Sequence, residues 1–302
     1  MNLQRIDLVT LSLFNQVAHA GSISGGAELA GLALGAASKR ISDLELAVGC
    51  RLLQRRSRGV SLTPAGEALQ RHAISILGGV DRLAAEMSDY ALGTLGIVRL
   101  SANTSAVTQF LPADLAAFAA VNPGVRIALE EQDSDPTVLA VLDGRADLGI
   151  FADRTDARGL HTVAYRDDEL VVVVPRGHEL SRKRKARFSE VLPFDVVSLS
   201  AGTSLAKRLQ VESDRLAMRL KVRITVRSFD AMCQMVAAGL GIAVLPNDAI
   251  KPHVQSMGLR RIQLDEPWSR RRLLLGVKAP DAIPKHVRLL FDFLSDRMRH
   301  PQ

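Results

Sequence analysis

Residues 51–67 read Arg51-Leu52-Leu53-Gln54-Arg55-Arg56-Ser57-Arg58-Gly59-Val60-Ser61-Leu62-Thr63-Pro64-Ala65-Gly66-Glu67. A tight basic turn, Arg55 to Gly59, sits between two short apolar runs, which is a hairpin pattern. A helix start follows. Thr63 caps it, and Pro64 takes the first helical position, where its missing N–H costs nothing. Upstream, Leu8, Leu11, Phe14, Val17 and Ala18 recur at helical spacing over about residues 5–20, and Gly21 stops that helix. Ser22 or Ser24 caps a short second helix, about residues 25–30. After a break at Gly31, a third helix runs over about residues 35–48, with Ala36, Ile41, Leu44 and Val48 facing inward. Two short helices joined by a glycine-containing turn, then a hairpin, predict a winged helix-turn-helix.

Charge points the same way. Six cations (Lys39, Arg40, Arg51, Arg55, Arg56 and Arg58) lie between positions 39 and 58, opposed by Asp43 and Glu45. The whole chain of 302 residues has 39 Lys and Arg against 32 Asp and Glu, a net charge of +7. That balance favours a polyanionic partner, although a run of cations is by itself more often a solvated face.

The ordered set Asp7-Leu8, Leu11, Phe14, Gly21-Ser22-Ile23-Ser24, Ala27-Glu28, Ala36-Ala37-Ser38, Ile41, Leu44-Glu45, Gly49, Arg51-Leu52-Leu53, Arg55-Arg56 and Gly59 through Glu67 resembles the N-terminal domain of LysR-type transcriptional regulators. The resemblance implies a DNA-binding regulator rather than an enzyme. It puts Ser24, Ala36, Ser38, Lys39, Arg40, Ser42, Arg55, Arg56, Arg58 and Thr63 at the interface with double-stranded DNA. There is one departure. Where family members carry Ser or Thr, then Gln, then Pro or Ser, this chain has Ala33-Leu34-Gly35. Glutamine reads an adenine edge and leucine does not, so readout is expected to shift to Ser38, Lys39 and Ser42 or to the wing.

From Pro64 the chain is expected to stay helical to about residue 91. Its broken apolar stripe of Ala68, Leu69, Ile76, Leu77, Val80, Leu83, Ala84 and Met87 needs a partner. The resemblance makes this a linker helix that dimerises, in a homodimer or homotetramer. Gly93-Thr94-Leu95-Gly96 reads as the hinge that follows. The expected division is a winged helix-turn-helix over 1–65, a linker helix over 66–92 and an effector-binding domain over 93–302.

The remaining chain alternates strands and helices, an α/β pattern expected to form mainly parallel sheets. It resembles the family's two-lobed periplasmic-binding-protein-like α/β domain, carried by the phrases Asp143-Gly144-Arg145-Ala146-Asp147-Leu148-Gly149-Ile150 and Val236 through Pro246. One lobe is expected over about 96–166 and 271–302, the other over about 167–270. A small-molecule effector then sits between them. Ligands of such sheets lie beyond strand carboxyl ends, near helix N-termini. Ser101, Asn103, Thr104 and Ser105 form one polar cluster there, and Ser200, Gly202, Thr203 and Ser204 a second. Ser134, Ala152 and Phe229 are expected to complete the pocket. Plain helix capping is the competing role for these hydroxyls. No arginine falls at an expected strand end, which leaves the ligand's charge open. The runs Arg182 to Arg187 and Arg270-Arg271-Arg272 read as solvated loops or as a surface for an acidic partner.

Two cysteines exclude a disulfide framework, and both Cys50 and Cys233 are expected to be small buried hydrophobes. The seven histidines lack metal spacing, and no nucleophile meets a base, so no metal, cofactor or catalytic group is expected. No run is long enough to span a membrane. Residues 5–20 have the outline of a signal peptide, but Asp7, Asn15 and Gln16 spoil it. The expected setting is cytoplasmic, with RNA polymerase as a further partner. Two other readings are a solute receptor, which needs export and has no use for residues 1–65, and an α/β enzyme, which needs a catalytic constellation.

Overall fold

The computed structural model describes residues 6–55, 59–92 and 96–296. The chain forms two compact units. In the N-terminal unit, α1 (Leu8–Ala20) is capped by Asp7, whose carboxylate accepts from the Thr10 amide at 2.7 Å. The short α2 (Ile23–Leu29) is capped by Ser22, which accepts from the Gly25 amide at 3.1 Å. Next comes α3 (Leu34–Val48), ended by Gly49 in the left-handed region. Leu13, Phe14, Val17, Ala37, Ile41, Leu44 and Leu52 form the core of this unit. A fully buried side chain of the larger kind contributes about 1.5–3 kcal/mol. The inward residue on α3 is Ala37, not Ala36, which is exposed. The buried set Ala37, Ile41, Leu44 and Ala47 follows strides of four and three from Ala37, so Ala36 rotates into solvent.

The hairpin is present: β1 (Leu53–Arg55) pairs antiparallel with β2 (Val60–Leu62). Glu45 does not offset the cations of the hairpin. Its Oε1 accepts from the Leu52 amide at 2.7 Å and the Leu53 amide at 3.0 Å, fixing the chain as it enters β1. Gly59 has φ +89°, and a Cβ on it would stand 2.2 Å from the Gly21 carbonyl oxygen. Only glycine permits the approach that lets the Val60 amide donate to that carbonyl at 2.7 Å. The base of the wing is thereby docked on the α1–α2 turn. The helix α4 (Pro64–Leu92) runs 29 residues without a break at Gly78-Gly79, about 43 Å at the rise of an α-helix. Arg56, Arg58, the Arg55 side chain and hinge residues Gly93, Thr94 and Leu95 lie outside what is described. Gly96, the last expected hinge residue, opens a strand.

The C-terminal unit begins with β3 (Gly96–Ala102), α5 (Thr104–Gln109), α6 (Leu111–Val121), β4 (Val125–Glu131), α7 (Ser134–Leu142) and β5 (Leu148–Ala152). A single helix was expected over 107–120. It is broken at Phe110 because Pro112 starts a new helix. The long β6 (His161–Pro175) is followed by β7 (Lys185–Ala186), α8 (Phe188–Val191), β8 (Asp195–Leu199), α9 (Ser204–Arg215) and β9 (Lys221–Val226). The chain closes through α10 (Phe229–Ala237), β10 (Ala243–Pro246), α11 (Asn247–Ser256), β11 (Leu259–Leu264), β12 (Arg270–Val277) and α12 (Lys285–Asp296).

The sheets are mixed rather than mainly parallel. Parallel pairs β3–β4, β3–β5, β8–β9 and β7–β11 are matched by antiparallel pairs β5–β12, β6–β12, β6–β10 and β6–β11. The antiparallel pairs arise because β6 and β12 run in opposite directions between two cores. One core holds Val98, Leu100, Phe118, Ile150, Tyr165, Leu275 and Leu290. The other holds Val172, Phe188, Val197, Leu209, Val244, Ile262 and Trp268. The chain leaves the first core over residues 166–169 and returns over 269–272.

Candidate DNA interface and ligand cavity

The surface of α3 carries Leu34, Gly35, Ala36, Lys39, Ser42 and Asp43 exposed, with Ser38 half-buried beside them. Leu34 is 56% exposed at the helix start. The Ala33 before it makes no side-chain cap, so the first-turn amides of α3 are left without a capping oxygen. The Ser42 hydroxyl donates to the Ser38 carbonyl at 3.0 Å. Ser24 is exposed and donates to the Ser22 hydroxyl at 3.5 Å.

Two expected contacts are occupied inside the fold. Arg40 Nη1 donates to Asp7 Oδ2 at 3.0 Å and to the Thr10 hydroxyl at 2.9 Å, tying the start of α1 to α3. The Thr10 amide, then the Thr10 hydroxyl and Arg40, hold the Asp7 carboxyl below its ordinary value against the opposing effect of burial. Thr63 accepts from the Gly66 amide at 3.0 Å, and its own hydroxyl donates to the Arg51 carbonyl at 2.8 Å.

The second site is a cavity of about 210 Å³ in the C-terminal unit. One wall is a single face of α9: Ser204, Lys207, Arg208 and Val211, spaced i, i+3, i+4 and i+7. The other wall is the start of α7, Ser134 and Asp135, with Ala152 to Thr155 after β5. Leu170, Trp268 and Arg271 line the remainder. The two cores therefore face each other across it. An ion pair between Lys207 on α9 and Asp135 on α7 spans the gap. Gly202 also closes in: a Cβ there would sit 2.4 Å from Asp133 Oδ2.

The expected polar residues divide into three groups. Ser134, Ala152, Gly202 and Ser204 line the main cavity. Asn103, Thr104, Ser105, Thr203 and Phe229 line an adjoining recess of only about 10 Å³, which Ser134 and Ser204 share. Ser101 and Ser200 line neither. Ser101 donates to the Thr137 hydroxyl at 3.1 Å, and the Ser200 carbonyl accepts from the Thr203 hydroxyl at 2.9 Å. Asn103 and Thr203 do cap: Asn103 accepts from the Ala106 amide at 3.0 Å and Thr203 from the Ala206 amide at 3.2 Å. Asn103 also donates to Ser134 at 3.3 Å, and Ser134 accepts from the Ala152 amide at 3.2 Å.

Sequence reasoning missed the charged lining. Arg154, Lys207, Arg208 and Arg271 all reach the cavity. The i, i+3, i+4 spacing after Ser204 was a usable signal. Arg270-Arg271-Arg272 is not a solvated loop but the start of β12, where Arg271 and Arg272 pair with Asp168 and Asp167 across the sheet. The other basic run is largely exposed as expected, although Ala186 within it is buried and β7 pairs with β11. Arg208 lies 5.8 Å above the Trp268 ring and pairs with Glu212 at 3.0 Å. Burial, and then the charge of nearby Arg154, lowers its pKa from the ordinary value.

The helix-turn-helix model described as "Bacterial regulatory helix-turn-helix protein, lysR family" matches residues 8–67, and the "LysR substrate binding domain" model matches residues 93–299. The chain belongs to the LysR family. Members of this family are DNA-binding transcriptional regulators with an effector-binding domain, not enzymes. A probable hydrogen peroxide-inducible genes activator of Mycobacterium avium is 25% identical, covering 87% of this chain and 85% of its own. The uncharacterized HTH-type transcriptional regulator YbhD of Escherichia coli (strain K12) is 24% identical, covering 92% of this chain and 87% of its own. Full-length CbnR complexed with its target DNA shares the LysR-family fold, with TM-score 0.69 at 16% identity, covering 97% of this chain and all of that one. Of the two cysteines in this LysR-family chain, Cys233 is buried as expected, but Cys50 is exposed just past α3.

Proposed function

We propose that residues 1–65 read double-stranded DNA through α3, that residues 66–92 pair with a second copy, and that the cavity of residues 93–302 receives a small-molecule effector. The observation that carries the first part is the α3 surface. A helix held on one side by Phe14 and Val17 presents Leu34, Ala36, Ser38, Lys39 and Ser42 outward, the arrangement a major groove accepts. Lys39 suits a phosphate; Ser38 and Ser42 suit base edges or phosphates.

The exposed apolar residues Ile76, Val80, Leu83 and Met87 on α4 support pairing. Their spacing is one helical stripe, and a second copy of α4 offers the same stripe. A dimer, or a tetramer of two dimers, sets two recognition helices on successive half-sites. The effector acts by binding two arrangements of the assembly unequally, which alters DNA geometry and contact with RNA polymerase. Among the described residues no helix is long and apolar enough to cross a membrane. The proposed place of action is the cytoplasm, with the DNA.

Peroxide sensing through Cys233 is a poor fit, although one relative carries that name. The thiolate is the reactive form. Burial, and then Asp230, pushes the Cys233 thiol up to about 11.

The test is DNA affinity against salt for the intact chain and for Lys39→Ala. A steep fall with salt, with a slope about one unit shallower in Lys39→Ala, supports the interface. A flat salt dependence, or an unchanged slope in the variant, removes α3 from it.

A further inference from the structure

The charges around Arg208 specify what the cavity takes. Glu212 is a single carboxylate shared between Arg208, at 3.0 Å, and Arg215, at 3.1 Å. Arg154 and Asp153 are close enough to act on Arg208 through space. Among the described residues Arg154 has no carboxylate within ion-pair distance. Three guanidiniums thus face two carboxylates, leaving one positive charge unmet. The other cations of the lining are balanced, Lys207 by Asp135 and Arg271 by Asp168. Beside this charge lie apolar surfaces: Leu170, Val211 and the ring of Trp268. The volume of about 210 Å³ is below the roughly 300–1,000 Å³ of drug-sized sites.

We propose that the ligand is a small organic monoanion, with a carboxylate held by Arg154 and Arg208 and an apolar body against Leu170, Val211 and Trp268. This assignment rests on the reading of the cavity as the effector site. A guanidinium pairs a carboxylate through two parallel hydrogen bonds, and two adjacent guanidiniums repel each other until an anion lies between them. A neutral ligand would bury both without a partner, which costs free energy. A dianion would exceed the single unmet charge.

The test uses the full chain with matched probes: benzoate and hexanoate, their neutral amides benzamide and hexanamide, and phenyl phosphate, read by thermal shift and calorimetry. The carboxylates are expected to raise Tm and the amides to leave it unchanged. Arg208→Gln should weaken carboxylate binding roughly ten- to hundredfold, the loss of a charge-assisted hydrogen bond. Arg154→Gln should also weaken it, and because Arg154 is exposed its loss does not threaten folding. The assignment is overturned if no carboxylate exceeds its amide, if phenyl phosphate binds tighter than the carboxylates, or if both variants bind carboxylate like the parent. DNA binding is a separate readout. Carboxylate binding that leaves DNA affinity unchanged supports the ligand class and removes the effector role. A neutral compound that changes DNA affinity from this cavity supports the effector role and overturns the ligand class.

Discussion

Arg271 and Asp168 are direct partners across β12 and β6, and Arg271 Nε donates to Asp168 Oδ2 at 2.8 Å. The pair lies where both strands pass between the two cores, with side chains only 10% and 2% exposed. The same guanidinium donates to the Ser105 hydroxyl at 2.7 Å, which ties the start of α5 to the crossing. Removing one partner leaves a buried charge alone, at a cost of about 3–5 kcal/mol. Arg271→Met is therefore expected to lower the urea midpoint of the C-terminal unit by that order. The double variant Asp168→Asn, Arg271→Met should lose clearly less. Equal losses would show that the pair is not coupled.

The Asp7–Arg40 pair gives a pH dependence of known sign. The folded pKa of Asp7 lies below its ordinary 3.8. A depressed carboxylate contributes stability that is fully present above the unfolded value and is lost as pH falls through the folded one. Between about pH 5 and about pH 2.5 the parent should lose an increment of stability that Asp7→Asn lacks from the outset. Melting curves of both proteins across that range measure it. A constant gap between them would contradict the cap.

Leu34 sets a specificity test. It stands exposed at the first turn of α3, where an apolar side chain favours a thymine methyl group and a glutamine favours adenine. Leu34→Gln is expected to move base preference at one position of each half-site, by about 1–3 kcal/mol of discrimination. Binding-site selection on both proteins reads this out. Identical preferred sites would place Leu34 away from the bases.

For α4, one charge in the exposed stripe should suffice. Leu83→Asp buries a carboxylate if the stripe pairs with a second copy, and leaves it in water if it does not. Light scattering is expected to show the variant shifted toward monomer at micromolar concentration. An unchanged mass would remove this face from the dimer.

The N-terminal unit was legible because its signals are local. Caps at Ser22 and Thr63, the apolar stride of α1 and the turn at Gly59 each act within a few residues. What misled there was phase: Ala36 and Ala37 are chemically alike, so the stripe could start at either. In the C-terminal unit, strands and helices alternated as read, but the antiparallel crossing of β6 and β12 depends on pairings about a hundred residues apart, such as Arg271 with Asp168. Pro252 within α11 hid that helix, and alternating charge hid β11. The polar clusters around Asn103 and Thr203 were correctly found near the cavity. The cations that dominate its chemistry come from α9, the loop after β5 and β12, and only the fold brings those together.

The most direct measurement is selection of genomic fragments from the source organism by the purified full-length protein at near-physiological salt. A regulator of this kind should enrich one or a few sites, each with two half-sites separated by about 10–10.5 bp or a multiple of it. Retention of all fragments alike, and only at low salt, would contradict sequence reading by α3.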